Sequence, residues 1–449
     1  MRNRRTGRSG CDGLRLGVKG VALLMAASPL GTAHAADVLD AARTDPVALG
    51  WMTGSPPPAD KTIRVEDGSF YAFPRTRWSF AHWRELFPTR NVSRGDGPAS
   101  LLPQGSPADI DALAFTPIGS DTTMTWAQSL DANYTDAIVV LHRGKVVYEK
   151  HFPIMPVHRQ HIAFSVTKSF TGTLGAMLVA DGSLDSSSTI ARYIPELAQS
   201  GFGDATVQQV LDMTTALDFS EDYTDSGSGF LPYARACGMI PLPPGYTGAT
   251  SVYDFVRGIA KKGTHGSEFH YRSPNTDVLG WLIARVTGKT IDVLLQERIW
   301  SQLGAEGDAY MALDRAGTPM AAGGLSTTIR DLARFGEMIR LGGRFNGRQI
   351  VPASVIEGIR AGASSEAFRF GGYATLPGWS YHNQWWISHD DHGTFMARGI
   401  HGQAIYIDPR AEMVIARYAS HPKAGNINLD PISMPAYRAV AEHLLAEKR

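Results

Sequence analysis

Cysteine is nearly absent from this 449-residue chain, which has only Cys11 and Cys237, so no disulfide framework underlies its fold. A long apolar run is lacking too. The most hydrophobic stretch, Val18 to Ala27, is followed by Ser28, Pro29 and Gly31 and falls short of the roughly 20 residues that span a bilayer. There is no excess of charge of either sign, since 43 Lys and Arg face 43 Asp and Glu. That balance excludes the broad basic surface that nucleic acid or an anionic membrane demands. Several catalytic signatures are also missing: a G-x-S-x-G elbow, an H-E-x-x-H pair and a phosphate-cradling glycine loop with a lysine. A diffusible small molecule is the expected partner.

What is present begins with a basic, then apolar, then small-residue pattern. Arg2, Arg4, Arg5 and Arg8 precede the apolar Val18 to Ala27, and Ala33-His34-Ala35 forms a small-x-small site. Residues 1–35 therefore read as a signal peptide, with cleavage after Ala35 and export to the periplasm or beyond. The remaining chain carries 37 basic and 42 acidic residues, with Cys237 as its one thiol. Its length of about 410 residues can bury a large core in one big domain or two packed lobes.

Residues 36–100 contain Pro56-Pro57-Pro58 and scattered aromatics such as Trp78, Phe80 and Trp83 with little periodicity, and predict an irregular arm on the body. Residues 101–449 read as a single catalytic domain. AIVVL and KVVYEKHF flank the turn-like His142-Arg143-Gly144, and QAIYID and EMVIARY flank Pro409-Arg410, giving a β-hairpin near each end. A helix is predicted from Pro435 to Lys448. Between the hairpins, helical segments close on Gly182, Gly288 and Gly342. Strand pairs enclosing helical sequence predict an α/β architecture, with an antiparallel sheet flanked by helices and a helical lobe inserted.

Ser165-Val166-Thr167-Lys168 has S-x-x-K spacing, which on a helix sets the lysine beside the serine. A desolvated lysine loses its proton more readily and can then activate a hydroxyl, and a helix N-terminus favours developing negative charge. The tetrapeptide alone is weak evidence, because Ser420-His421-Pro422-Lys423 repeats it after a strand and with a proline inside. Ser165 instead opens a long helix of small residues. The competing reading is an ordinary helix cap with a solvated Lys168. A Ser/Lys site needs a third group to move protons at the leaving group. Tyr271, followed by Arg272 and Ser273 and then by a helix starting at Pro274, is preferred over Tyr381, which leads into NQWWIS.

Oxyanion donors can be backbone N–H groups. The segment Ala397 to Gly402 is the proposed location, with Ile400 N–H and Ser165 N–H as the pair and His401 as a residue lining the site. His389-Asp390-Asp391-His392 is read as a polar turn rather than a metal site. No metal or organic cofactor is expected.

These segments together resemble the serine β-lactamase and penicillin-binding-protein superfamily, in its class C-like branch. The likeness is carried by FSVTKSFTGTLGAMLVADGSLD, IARYIPEL, VQQVLDMTT, FHYRSPNTDVLGWLIARVTG and AAGGLSTTIRDLARFGEMI, in that order. EDYTD at 221–225, NQWW and GIHGQ are most similar to the 6-aminohexanoate-dimer hydrolases and related esterases. The resemblance implies a β-lactamase/transpeptidase-like fold, Ser165 as nucleophile, Lys168 and Tyr271 as the proton-transfer pair, Ile400 as an oxyanion donor and a substrate-facing Tyr223. Three departures redirect the expected substrate. Ser273 stands where many relatives have Asn. Ala397-Arg398-Gly399 lacks the basic first residue that receives a β-lactam or peptidoglycan carboxylate, and no acid occurs from Ser226 to Ala236 to meet a substrate amine. The reading is a serine hydrolase of small carboxylic esters or amides. A DD-peptidase or β-lactamase is the nearest alternative, and a non-catalytic ligand-binding descendant is the alternative from another class.

Overall fold

The two hairpins expected near the ends of the chain lie side by side in one sheet. The computed structural model describes residues 39–446 apart from Thr224 and Ser226, so the segment read as a signal peptide lies outside the described residues. The sheet has seven strands: β1 (Thr135–His142), β2 (Lys145–His151), β3 (Ser380–His382), β4 (Trp385–Ile387), β5 (Phe395–Gly399), β6 (Gln403–Asp408) and β7 (Met413–Ala419). Their spatial order is β3-β4-β5-β6-β7-β1-β2, antiparallel throughout. The first hairpin turns through Arg143 and Gly144, both at positive φ, which suits the right-handed strand twist.

Four longer helices dominate the rest: α1 (Val166–Ala180), α2 (Pro274–Thr287), α3 (Ile329–Arg340) and α4 (Asp430–Ala446). Glycine lets α1 pack closely. A Cβ at Gly172 would sit 2.3 Å from the Asn383 carbonyl oxygen, and one at Gly175 would meet Leu279 of α2. Helix α3 starts at Thr328, whose hydroxyl accepts from Asp331 N–H, and lays its apolar face on the sheet, with Gly336 against Ile405 and Val414. The antiparallel sheet, flanking helices and inserted helical part agree with the expected architecture.

The last helix begins at Asp430, five residues before the Pro435 expected to start it. Pro435 lacks the N–H that would bond the Pro431 carbonyl, and Ile118 N–H donates to that carbonyl at 2.8 Å instead. A distant residue therefore satisfies the group that proline orphans.

The arm is built into the body, and the described residues form one unit. Phe70, Trp78, Phe80 and Trp83 are buried. Arg77 donates to Ala41 O and pairs with Asp136 at the start of β1 at 3.0 Å, while Thr89–Val92 pairs antiparallel with Ala309–Ala312. These contacts are long-range, which explains the missing periodicity.

Candidate active site

The chain enters the site along His161–Ile162, a short strand paired with Leu325–Thr327. It then turns sharply at Phe164, a non-glycine residue at φ 43, before α1 begins. A bulky residue in that region is unfavourable and must be held by its surroundings. Here the ring is clamped edge-on by Phe80 at 4.8 Å and Trp83 at 5.6 Å, both from the arm. The turn leaves Ser165 as the only residue from His161 to Leu178 that is not buried. Ser165 makes no side-chain capping bond and Lys168 is only 2% exposed. An ordinary cap with a solvated lysine does not describe this geometry.

Lys168 Nζ donates to Ser165 Oγ at 3.0 Å and to the Ala322 carbonyl at 2.7 Å. Burial lowers its pKa, opposed by the carboxylates of Glu221 and Asp277. Tyr271 completes the cluster. Its ring lies 5.1 Å from Lys168 Nζ, and its hydroxyl interacts with Ser165. Burial first, then Glu221, pushes its pKa well above the usual phenol value, whereas Ser165 and Arg398 act the other way. The competing Tyr381 is buried behind Tyr271, with its hydroxyl on Gln384 and the two rings edge to face at 6.2 Å. Trp386 stacks on Tyr271 at 5.5 Å and holds it from the sheet side.

Tyr223 and Ser273 meet at one carboxylate that sequence reasoning did not single out. Glu221 accepts from Tyr223 Oη at 2.7 Å, from Ser273 Oγ at 2.7 Å and from Ser273 N–H. Ser273 is thus engaged with protein. The E-x-Y spacing in EDYTD was the available signal, but nothing local showed that Glu221 reaches α2. Arg398 also turns inward. It pairs with Asp430 and lies over the Trp386 ring at 4.9 Å.

Around Ser165 and Ile400 the neighbouring amides are occupied: Ala163 N–H bonds Leu325 O, Val166 N–H bonds Ala163 O and His401 N–H bonds Ala424 O. Among the described residues the Ser165 and Ile400 amides have no protein acceptor. The two segments adjoin, because a Cβ on Gly399 would stand 2.7 Å from the Ala163 carbonyl oxygen. His401, at φ 62, packs on Phe80 at 4.9 Å and on Phe164 at 5.8 Å. Its ring has no nitrogen left for substrate. Nδ1 meets His421 O at 2.7 Å and Nε2 meets Tyr71 Oη at 2.9 Å, and burial lowers its pKa to about 4. His401 is therefore a buttress behind the Ile400 turn rather than a residue lining the site.

The 389–392 turn is held by its own bonds. His389 meets Ser380 Oγ at 2.7 Å, Asp390 accepts from His392 N–H and Thr394 N–H, and His392 meets Asp408 at 2.6 Å.

A serine under a buried lysine, with a tyrosine over both and two free amides beside it, is equipped for acyl transfer. A profile of the beta-lactamase family matches residues 127–430. The chain belongs to the beta-lactamase family. It is a serine hydrolase of that family. A curated 6-aminohexanoate-dimer hydrolase from Paenarthrobacter ureafaciens is 37% identical over 355 residues, covering 79% of this chain and 88% of the relative. A solved Bacillus anthracis structure, assigned as a 6-aminohexanoate-dimer hydrolase, superposes with a TM-score of 0.78 at 32% identity, over 86% of this chain and 99% of the other. A hydrolase with promiscuous acyltransferase activity shares the fold at 16% identity, with a TM-score of 0.54 over 69% of this chain and 96% of that one. Among the described residues no helix is long and apolar enough to cross a membrane.

Proposed function

We propose that this chain hydrolyses small carboxylic esters, and linear amides more slowly, through an acyl-enzyme on Ser165. The observation that carries the reading is the 3.0 Å contact between Ser165 Oγ and a buried, desolvated Lys168. In its neutral form the Lys168 amine takes the Ser165 proton directly as Oγ attacks the carbonyl carbon. The direct contact makes a relay through Tyr271 unnecessary at this step. The Ser165 and Ile400 amides receive the oxyanion. Tyr271 gives its proton to the leaving alkoxide or amine as the bond to the acyl carbon breaks, and is reprotonated from Lys168. In the second half, water attacks the acyl carbon and gives up a proton through the same pair, and Ser165 departs with a proton restored.

Esters come first because an alkoxide leaves more readily than an amine, and because the stretch from Ser226 to Ala236 has no acid to hold a substrate ammonium. The name of the 37% identical relative supports testing the aminohexanoate dimer as the amide. Arg398, the cation nearest the family's carboxylate-receiving position, is committed to Asp430, which disfavours β-lactams. The test is p-nitrophenyl butyrate turnover with fluorophosphonate labelling of Ser165. A Ser165→Ala variant that kept full turnover, or a wild-type protein that neither labelled nor turned over ester, would sink the reading; the second result would favour a ligand-binding descendant. Nitrocefin turnover exceeding ester turnover would favour the β-lactamase alternative. We further propose export with cleavage after Ala35. N-terminal sequencing of the protein from its native host should begin at Ala36, and a retained Met1 would refute this.

A further inference from the structure

Close to Lys168 lies a buried carboxyl for which the acyl-transfer steps have no use. Asp277 sits in the first turn of α2, is 3% exposed, and accepts from Tyr233 Oη at 2.5 Å. It reaches Lys168 through one residue, Ala322. The Ala322 carbonyl accepts from Lys168 Nζ at 2.7 Å, and the Ala322 backbone amide acts on Asp277, pulling its pKa down. The 321–322 segment is wedged between the two helices. Thr171 of α1 donates to Ala321 O at 2.8 Å, and a Cβ on Gly280 of α2 would come within 2.7 Å of the Ala321 Cβ.

We infer that Asp277 is a positioning residue for Lys168, orienting the Ala322 carbonyl that holds the amine and supplying the negative charge that governs when the amine becomes a base. The inference rests on the acyl-transfer reading. Lys168 is faced by Ser165 on its own helix, by Tyr271, by Glu221 from the 221–223 segment, by Asp277 from α2 and by Cys237 after the helix Phe230–Ala236. Asp277 is faced by Tyr233, Lys168 and Glu221, and its charge also reaches Cys237 and Tyr253. Burial raises the Asp277 carboxyl to about 7, with Tyr233, Lys168 and Ala322 pulling the other way. It also lines a cavity of about 220 Å³ with Arg90, Tyr253, Thr290 and Thr318, which none of Ser165, Lys168 or Tyr271 reaches. The carboxyl, raised by burial, therefore borders a cavity that the Ser165, Lys168 and Tyr271 side chains do not line.

The sign follows from charge. Ionised Asp277 favours protonated Lys168 and so delays the rise of activity with pH. Asp277→Asn removes that charge. The acid limb of kcat/KM for p-nitrophenyl butyrate, followed from about pH 5 to 10, should move to lower pH by about one unit. The two profiles should converge in acid, where Asp277 is already protonated. Tyr233→Phe should move the limb the same way by less, since losing a donor raises the carboxyl pKa further, and it carries the test if Asp277→Asn does not fold. A merely structural role would lower thermal stability and leave the limb in place. Fluorophosphonate labelling separates the two readings. A variant labelled at Ser165 with an unmoved limb overturns the Asp277 inference alone, whereas an unlabelled and inactive wild type overturns both.

Discussion

The chain contains two S-x-x-K segments, and they have opposite fates. Ser165-Val166-Thr167-Lys168 opens a 15-residue helix, with a partly exposed serine over a buried lysine. Ser420-His421-Pro422-Lys423 follows β7 in irregular backbone, with a fully buried serine and an exposed lysine. Its Ser420 N–H bonds Tyr134 O, and its Lys423 N–H bonds His421 Nδ1. Burial is reversed between the two. Only the first copy desolvates the amine while leaving the hydroxyl reachable, and that is the combination a reactive pair requires. Four letters do not specify it.

Substitution at the two serines should break the comparison most sharply. Ser165→Ala should lower kcat/KM for p-nitrophenyl butyrate by about 10³-fold or more, and Lys168→Met by a similar factor. Ser420→Ala and Lys423→Ala should stay within about twofold in the same assay. Equal losses at both copies would mean that the site is not where the geometry places it.

A second contrast pairs the tyrosines. Tyr271→Phe should reduce kcat by about 10² to 10⁴, as expected for loss of a proton-transfer group, while Tyr381→Phe, behind it, should cost less than about tenfold. Stopped-flow detection of the acyl-enzyme would show whether acylation or deacylation suffers.

The arm supplies a smaller effect that the Ser420 segment has no counterpart for. Phe80 packs on both left-handed residues beside the free amides, Phe164 and His401. Phe80→Ala should cost about 3 to 5 kcal/mol in urea unfolding and lower kcat more than it raises KM. Acid should loosen the same cluster. His401 and His82 have folded pKa values of about 4 against 6.5 unfolded, so the unfolded chain binds more protons between these values. Stability from both is complete above pH 6.5 and is lost as pH falls toward 4, on the order of 1 to 3 kcal/mol each. Thermal melts across this window should show the loss, and His401→Gln should reduce it.

The smallest effect belongs to Ser420 itself. Its hydroxyl is buried without a hydrogen-bond partner among the described residues, so Ser420→Ala should leave stability unchanged or raise it by up to about 1 kcal/mol. A loss above about 2 kcal/mol would reveal a role for that copy.

Much of the frame was legible because its signals are local. Gly288 ends α2 in the left-handed conformation, Thr328 caps α3, and Arg143-Gly144 turns the first hairpin. The start of α4 was not legible, because a proline inside a helix depends on Ile118, a partner over three hundred positions away. Glu221 lies within the EDYTD motif, yet its bonds to Ser273 depend on how the 221–223 segment lies over the start of α2. His401 reads as a residue lining the site, and its ring is occupied by Tyr71 from another part of the chain, just as Arg398 is held by Asp430.

By itself the sequence determined that Ser165 and Lys168 come together, because i to i+3 spacing on a helix is fixed by backbone geometry and the pair need only that helix to meet. Tertiary structure decided whether the meeting is useful. Desolvation of Lys168, the strained turn at Phe164, the two free amides and the buried charge at Asp277 all depend on surfaces brought together from distant segments, and an amine's proton affinity is set by that surrounding medium rather than by its neighbours in sequence.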